Sequence, residues 1–237
     1  MKTFVMIPTW NESENIGPLI ERISNLGINN LEIVVVDDNS PDGTWNVVEE
    51  YSKKDSRVHL LHRKTDKGRG FAGKAGFKYA LDRGADSVIE MDADFSHPPE
   101  VIPNLLDAVK DCDIVLASRF VKGGQDNNRS KFRSLLTVFS TWLLRNIIGT
   151  RVMDVNSGYR CFKRGALEPI IEGLESKNCN IVQEVLYKCH LNKCEIKEIP
   201  LVFVDRKAGK TTKTISDLIE VPTFALKMRI RHAFGKL

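Results

Sequence analysis

The most specific chemical feature of this 237-residue chain is Met91-Asp92-Ala93-Asp94, directly after a β-branched run. Two carboxylates two residues apart at a strand end can both turn toward one site once the chain leaves the pleat. Hard oxygen ligands of this kind hold Mg²⁺ or Mn²⁺ beside a diphosphate, where the ion neutralises charge building on a leaving nucleotide. The competing reading is a capped turn, with Asp94 and Ser96 starting the helix beyond Pro98-Pro99. A second acidic run, Val36-Asp37-Asp38-Asn39-Ser40-Pro41-Asp42-Gly43-Thr44, favours the site, because one turn rarely needs three carboxylates. Within it, Asp42-Gly43 reads as turn chemistry, with Ser40 or Asp42 capping a helix from Thr44. Asp38, nearer the strand end, is the candidate for binding a base or ribose.

Basic residues from Arg119 onward form a second constellation. Arg133 and Thr137 are four apart on a helix and share a face, the geometry for gripping a phosphate with one fork and one hydroxyl. Arg160 and Arg206 are further candidates. Any one of these alone reads equally as a solvated or salt-bridged arginine; their occurrence together with the carboxylates points to a site handling two anions. The run Gly68-Arg69-Gly70-Phe71-Ala72-Gly73 spells G-x-G-x-x-G, with Asp92 about 20 residues on, as an NAD(P)-binding oxidoreductase would have it. Yet that fingerprint belongs in the tight turn after the first strand, and here Arg63 to Lys67 intervene after a later one. Close approach of a loop and helix end to a bound substrate explains the glycines as well.

The elements that must position these residues alternate in type. Thr3 to Pro8, Leu31 to Asp37, Val58 to His62, Ser87 to Asp92 and Asp113 to Arg119 read as strands, separated by segments of helical spacing. Such alternation predicts an α/β chain with a mainly parallel, Rossmann-like sheet flanked by helices, whose ligands sit beyond the carboxyl ends of the strands. That is where Thr9 to Glu12, Asp37 to Thr44, Asp92 to His97 and Arg119 to Gly124 fall. A polar loop, Gln125 to Ser130, leads into an apolar helix ending near Gly149. Helices near Gly165 to Gly173 and Ile181 to Leu191, a β-rich run from Ile196 to Val204, and a helix from about Ser216 interrupted by Pro222 complete the chain.

Composition sets the frame. At 42% hydrophobic and 28% charged, the chain is an ordinary globular one, expected to be a single domain with a tail. The longest mainly apolar stretch, Leu135 to Ile148, falls short of the roughly 20 residues of a membrane span, and Pro8 cuts off any signal-peptide core; a cytosolic location is expected. Five cysteines without a CxxC pair indicate neither a disulfide framework nor a zinc ribbon, and Cys189, His190 and Cys194 read as packed side chains rather than ligands. A net charge of +4 is too mild to imply nucleic acid, but eight basic against two acidic residues from Arg206 onward make the tail the place to meet an anionic partner.

Five strings carry a family resemblance: Ile7-Pro8-Thr9-Trp10-Asn11-Glu12, Val36 to Thr44, Met91-Asp92-Ala93-Asp94-Phe95-Ser96-His97-Pro98-Pro99, Ala117-Ser118-Arg119-Phe120-Val121-Lys122-Gly123-Gly124, and Asp154-Val155-Asn156-Ser157-Gly158-Tyr159-Arg160. Together they resemble the inverting glycosyltransferases of family 2, and among them the dolichyl-phosphate (polyprenyl-phosphate) mannosyltransferases. The resemblance covers about residues 3 to 210. It implies a GT-A fold over residues 1–214 with a basic, apolar helical tail over 215–237, and transfer of mannose from GDP-mannose to dolichyl or polyprenyl phosphate with Mg²⁺ or Mn²⁺. It implies that Pro8, Trp10, Glu12, Val36 and Asp38 hold the guanosine part and that Asp92, Ala93 and Asp94 meet the diphosphate and sugar. Asp94 and Ser96 would stand at the metal, Asp92, Asp94 and Arg119 would be catalytic, and Arg119, Arg133, Thr137, Arg206 and Lys213 would surround the acceptor phosphate.

Asn156 stands where the family usually has Thr. Thr211-Thr212 replaces a Ser-Lys pair, leaving Lys210 or Lys213 to substitute, and Gln183-Glu184 keeps a Gln-x-Glu string only loosely. A lipid acceptor implies a peripheral place on the cytosolic face of a membrane, reached through the apolar face of the 135–143 helix, the tail, or a membrane-embedded subunit. A UDP-sugar-dependent transferase of the same fold, the oxidoreductase and a non-catalytic lipid-binding module are the alternatives; the Asp92/Asp94 pair speaks against the last.

Overall fold

β1 (Thr3–Thr9) and β2 (Leu31–Asp37) are buried along almost their whole length, as parallel strands covered on both faces must be. Alternation along β1 sorts its side chains: Phe4 and Met6 join one apolar cluster with Val34, Val36 and Phe77, while Val5 and Ile7 join another with Ile33 and Val35. α1 (Ser13–Ser24) covers the second face with Ile16, Leu19, Ile20 and Ile23, whose spacing puts them on one stripe. α3 (Arg69–Asp82) covers the first with Ala72, Phe77 and Ala80. The structure is a computed structural model describing residues 1–127, 131–204 and 215–235, with side chains described outside 127–137 and 204–219.

β3 (Val58–His62), β4 (Ser87–Glu90), β5 (Ile114–Ser118), β7 (Arg160–Lys163) and β8 (Ile196–Pro200) complete a seven-stranded sheet of order β3-β2-β1-β4-β7-β5-β8. All neighbours are parallel except β7, which runs antiparallel between β4 and β5. The expected five strands lie where their patterns put them. The inserted β7 was not expected, and neither was the small parallel pair of β6 (Gln125–Asn127), inside the expected polar loop, with β9 (Val202–Val204). β4 ends two residues earlier than expected, because the Asp92 N–H turns to His97 Nδ1 at 2.9 Å instead of continuing a ladder.

The outer helices are α2 (Thr44–Lys54), α4 (Ile102–Ala108), α5 (Lys131–Ile148), the single turn α6 (Arg164–Leu167), α7 (Ile181–Leu191) and α8 (Ile215–Ala233). Only α6 fills the helix expected near 165–173. Pro222 does not interrupt α8, which continues through it, with Thr223 Oγ1 donating to the Glu220 carbonyl at 2.9 Å. α8 packs against α5 and α7, and Met228 is buried with Ile148 and Tyr187. Among the described residues no helix is long and apolar enough to cross a membrane. The five cysteines are free, Cys189 is buried, and the described residues hold no group of three His, Cys, Asp or Glu able to cage a metal.

Candidate active site

The parallel strands release their chain at one edge of the sheet, and the loops there are tied to one another. Asp37, fully buried at the end of β2, accepts from Thr9 Oγ1 at 2.9 Å and from the backbone N–H and hydroxyl of Ser40 at 2.9 and 2.6 Å. Asp42 accepts from the backbone N–H and hydroxyl of Thr44 at 3.0 and 2.6 Å, and from the Ser13 N–H at 3.0 Å, so it caps two helix starts at once. Asp42 thus caps as expected, and Asp37 joins it in building the turn, so two of the three carboxylates in this run are structural.

Asp38 is the third. Its carboxylate accepts from Arg63 Nη1 and from the Gly68 N–H, both at 2.6 Å, and draws the 63–68 loop over the strand ends. Burial pushes its pKa up, against the lowering pull of the Gly68 N–H and Arg63. Lys67 Nζ lies 5.1 Å from the centre of the Trp10 ring, which is 43% exposed at the end of β1. Pro8 and Val36 face each other in the β1–β2 register, and the Val36 side chain is wholly in the core, so only its backbone could meet a ligand. Glu12 accepts from Asn15 Nδ2 at 2.7 Å, and its N–H donates to Thr44 Oγ1 at 2.9 Å.

At the end of β4 the two aspartates differ. Asp92 is the more open, its side chain 43% exposed. Asp94 and Ala93 are buried, and Asp94 Oδ1 accepts from the Ser96 N–H and hydroxyl at 3.1 and 2.6 Å. His97 braces the loop from beneath: it is buried, stacks on Tyr159 at 4.9 Å, and its Nδ1 takes the Asp92 N–H. Burial lowers its pKa against the pull of Asp92 and Asp94, keeping the ring neutral and Nδ1 an acceptor. Asp92 and Asp94 with the Ser96 hydroxyl fit an ion of the Mg²⁺ or Mn²⁺ kind that draws its remaining ligands from diphosphate oxygens and water.

Arg119, at the end of β5, grips the fully buried Asp154 from Nε and Nη2, both at 2.8 Å, and its Nη1 lies 4.0 Å from Asp126. Burial would lower its pKa, but the Asp154 bonds outweigh that and keep it charged. Asn156, the departure in the 154–160 string, donates to Thr141 Oγ1 on α5 at 3.1 Å and accepts from Gln183 Nε2 on α7 at 2.9 Å, a two-sided bridge a threonine is too short to make. Glu184 is structural, accepting the N–H groups of Glu175 and Ser176 at 2.8 Å each.

Arg160 is not a phosphate residue. It is 1% exposed on β7, bound through Nε and Nη2 to Glu90 and through Nη1 to the Val182 carbonyl. Sequence reasoning missed Glu90 and Asp154, whose partners lie 70 and 35 residues away, and only the register Glu90↔Arg160 reveals the first pair. Arg133 and Thr137 fall in α5, and their side chains, like Arg206, Lys210 and Lys213, lie outside the described residues.

The glycine-rich run follows β3, and its amides are occupied: the Gly68 N–H by Asp38, the Gly70 N–H by the Lys177 carbonyl at 2.9 Å. A dinucleotide pyrophosphate would find them taken. Residues 4–171 match the model of Glycosyl transferase family 2.

The chain belongs to glycosyl transferase family 2.

Its similarity extends beyond the span of that model. It is 35% identical to the undecaprenyl-phosphate mannosyltransferase of Micrococcus luteus, over 89% of this chain and 87% of that one. It is 34% identical to the polyprenol monophosphomannose synthase of Mycolicibacterium smegmatis, over 99% and 91%. With the dolichol-phosphate mannosyltransferase of Pyrococcus furiosus it shares 38% identity over 89% of its own length, spanning 59% of that longer protein. In fold it resembles a family of solved GT-A structures. The glucosyl-3-phosphoglycerate synthase of Mycobacterium tuberculosis, solved with Mn²⁺, UDP-glucose and phosphoglyceric acid, superposes with a TM-score of 0.68 at 20% identity, covering 96% of this chain and 79% of that one. The mannosyl-3-phosphoglycerate synthase of Rubrobacter xylanophilus gives 0.66 at 18% identity, covering 100% and 76%. As in a family 2 enzyme of this fold, the polar loops gather at the carboxyl edge of the sheet.

Proposed function

We propose that this family 2 enzyme transfers mannose from GDP-mannose to dolichyl or another polyprenyl phosphate with inversion, giving the lipid-linked mannosyl phosphate and GDP. The observation that carries the reading is the Asp92-Ala93-Asp94 corner at the end of β4, in a chain similar over nearly its full length to two polyprenyl-phosphate mannosyl enzymes.

The acceptor phosphate is already ionised at neutral pH, so the nucleophile needs no dedicated base and the protein's work is positioning and charge stabilisation. A phosphate oxygen attacks the anomeric carbon opposite the nucleotide; the bond from that carbon to the diphosphate breaks, and its electron pair leaves with GDP. Asp94 and Ser96 would hold Mg²⁺ or Mn²⁺, which would supply positive charge beside the departing diphosphate. Pro8, Trp10, Glu12, Val36 and Asp38 form the nucleoside side, with Asp92 and Ala93 toward the diphosphate and sugar. Arg119, Arg133, Thr137, Arg206 and Lys213, or Lys210 in its place, are assigned to the acceptor phosphate. Forked arginines beside carboxylates keep two anions close enough to react.

A lipid acceptor requires docking at a bilayer. Val138, Phe139 and Trp142 on α5 are each about half exposed, and Leu226 and Ile230 lie four residues apart on the adjoining α8, with exposed Phe234 just beyond its end. These apolar rows, with the basic tail, are assigned to the cytosolic membrane surface.

The test is transfer by the purified protein to dolichyl phosphate in detergent, with GDP-mannose, UDP-glucose or UDP-N-acetylglucosamine, each with and without Mg²⁺ or Mn²⁺. Metal-dependent lipid-linked mannose is expected. Product from a UDP-sugar alone overturns the donor, and no product from any donor overturns the chain's sufficiency and calls for a membrane-embedded subunit.

A further inference from the structure

The glycine-rich run after β3 has no part in the chemistry described so far, yet its geometry is demanding. Gly68 has φ +141°, where L side chains rarely go, and a Cβ there would stand 2.4 Å from the Lys177 carbonyl oxygen. A Cβ on Gly70 would stand 2.0 Å from the Ser176 carbonyl oxygen. The two glycines thus let the first turn of α3 press onto the 176–178 backbone, fixed by the Gly70 N–H to the Lys177 carbonyl and the Gly68 N–H to Asp38.

Between them is Arg69. Its Nη2 lies 2.8 Å from Glu90 Oε1 and 3.3 Å from Asp92 Oδ1. Glu90 is wholly buried and already bound by Arg160, whose Nε and Nη2 both hold its Oε2. Arg160 thus takes only Oε2, and Arg69 faces the remaining Oε1, but it does so with the same Nη2 that reaches Asp92. Arg69 also leaves its buried Nη1 without a hydrogen-bond partner, a costly arrangement for a group placed merely to fill space. Its placement makes sense through Nη2, which spans the fixed Glu90 and the more open Asp92.

We propose that Arg69 is a positioning residue for the transfer reaction, holding the Asp92 carboxylate against the Glu90–Arg160 pair so that it faces the donor, and that Gly68 and Gly70 serve to bring it there. The inference rests on the role given above to Asp92 and deepens it. Asp92 approaches the donor with its orientation set before binding, and that preorganisation is what the arginine contributes.

The experiment is a double-mutant cycle with Arg69→Gln, Asp92→Asn and the double variant, and Arg69→Lys beside it. Two quantities are read in every protein: the kinetics of lipid-linked mannose formation, and calorimetric binding of GDP and of UDP in the presence of Mn²⁺. Arg69→Gln is expected to lower kcat about 10–100-fold, in the range for groups that orient a ligand from behind, with KM for the lipid unchanged and Arg69→Lys recovering part of the loss. In the Asp92→Asn background the same change should cost less than about twofold, because its route is already cut. Melting temperatures separate unfolding from function, since Arg160 keeps Glu90 paired in every variant. Effects that multiply independently, in kcat and in nucleotide binding, overturn the inference. If the wild-type protein makes no lipid-linked mannose, the donor assignment falls, while the binding cycle still decides whether Arg69 acts through Asp92.

Discussion

Arg119 and Asp154 form a closed fork: Nε donates to Oδ2 and Nη2 to Oδ1, each at 2.8 Å, and the Arg119 backbone N–H reaches Oδ2 at 3.2 Å. Asp154 is fully buried, and its own N–H is held by Glu198 at 3.0 Å, so the arginine's direction is set from the interior. The guanidinium lies between the rings of Phe120 and Phe203, 5.2 and 5.4 Å from their centres, with Nη1 turned toward Asp126.

Removing the inner partner should therefore be costly. Asp154→Ala leaves a mostly buried guanidinium with only Asp126, 4.0 Å away, to offset its charge, a loss of about 3 kcal/mol and roughly 10 °C in melting temperature for a chain of this size. Arg119→Lys lacks the planar fork and is expected to lower transfer at least tenfold, on the order of one lost charge-assisted bond, with a smaller thermal shift. Calorimetry and initial rates on the same preparations check both.

Asp94→Ala should abolish transfer, by about a thousandfold or more if it holds the charge at the leaving diphosphate, while the fold persists. Within the corner its Oδ1 accepts from the N–H and hydroxyl of Ser96, two residues away, so these local bonds do not tie distant elements together. A variant that keeps appreciable activity at saturating Mn²⁺ removes Asp94 from the metal.

Asp38 joins the 63–68 loop to the strand ends assigned to the nucleoside. Asp38→Asn keeps the shape but weakens the charge-assisted bonds to Arg63 and Gly68. KM for the nucleotide-sugar is expected to rise about tenfold, one charge-assisted hydrogen bond's worth, with kcat less affected. Equal loss in kcat alone would place Asp38 in chemistry rather than binding.

The exposed, stacked pair Phe139 and Trp142, with ring centres 6.1 Å apart, should matter to lipid and not to nucleotide. Changing both to Ser should weaken flotation with anionic vesicles by an order of magnitude or more, given about 1.5 kcal/mol or more for each large apolar side chain buried, and leave melting temperature and GDP binding in place. Unchanged vesicle binding removes α5 from the docking face.

Acid should act through Glu90. Burial pushes its carboxyl up, but Arg160 and Arg69 outweigh that and hold it below its ordinary 4.5. A carboxylate with a lowered folded-state pKa contributes stability that is fully present above the unfolded value, and that stability is lost as pH falls through the lower folded value. Melting temperature should thus decline below about pH 4.5. Glu90→Gln, less stable at neutral pH because it leaves the buried Arg160 guanidinium without its carboxylate, should show a shallower decline over that range.

The strands β1 to β5 and the helices between them were legible because each is a local pattern: strands of four to seven residues built around a short apolar run, or stripes such as Ile16, Leu19, Ile20 and Ile23. The aspartate corner was legible for the same reason, being one short string at a strand end. Arg160 was misread because charge on a sequence looks like surface, and only the antiparallel insertion of β7 puts it opposite Glu90 inside the protein. β7 itself, four residues without alternation, gave no periodic signal. The acidic run after β2 shows the opposite error at Asp37, which looks chemical in sequence and proves to be a turn builder once its donors are in place, beside Asp42, whose capping was expected.

Local pattern and motif thus determined the α/β class, the edge of the sheet where the polar loops gather, and the strand-end corner that carries Asp92 and Asp94. Tertiary structure alone decided which charges face inward, because partners such as Glu90 and Arg160, or Arg119 and Asp154, lie 70 and 35 residues apart and meet only when distant strands and loops are brought into register. Burial makes that meeting obligatory: a charge removed from water must find its opposite, and where it finds it is a property of the fold.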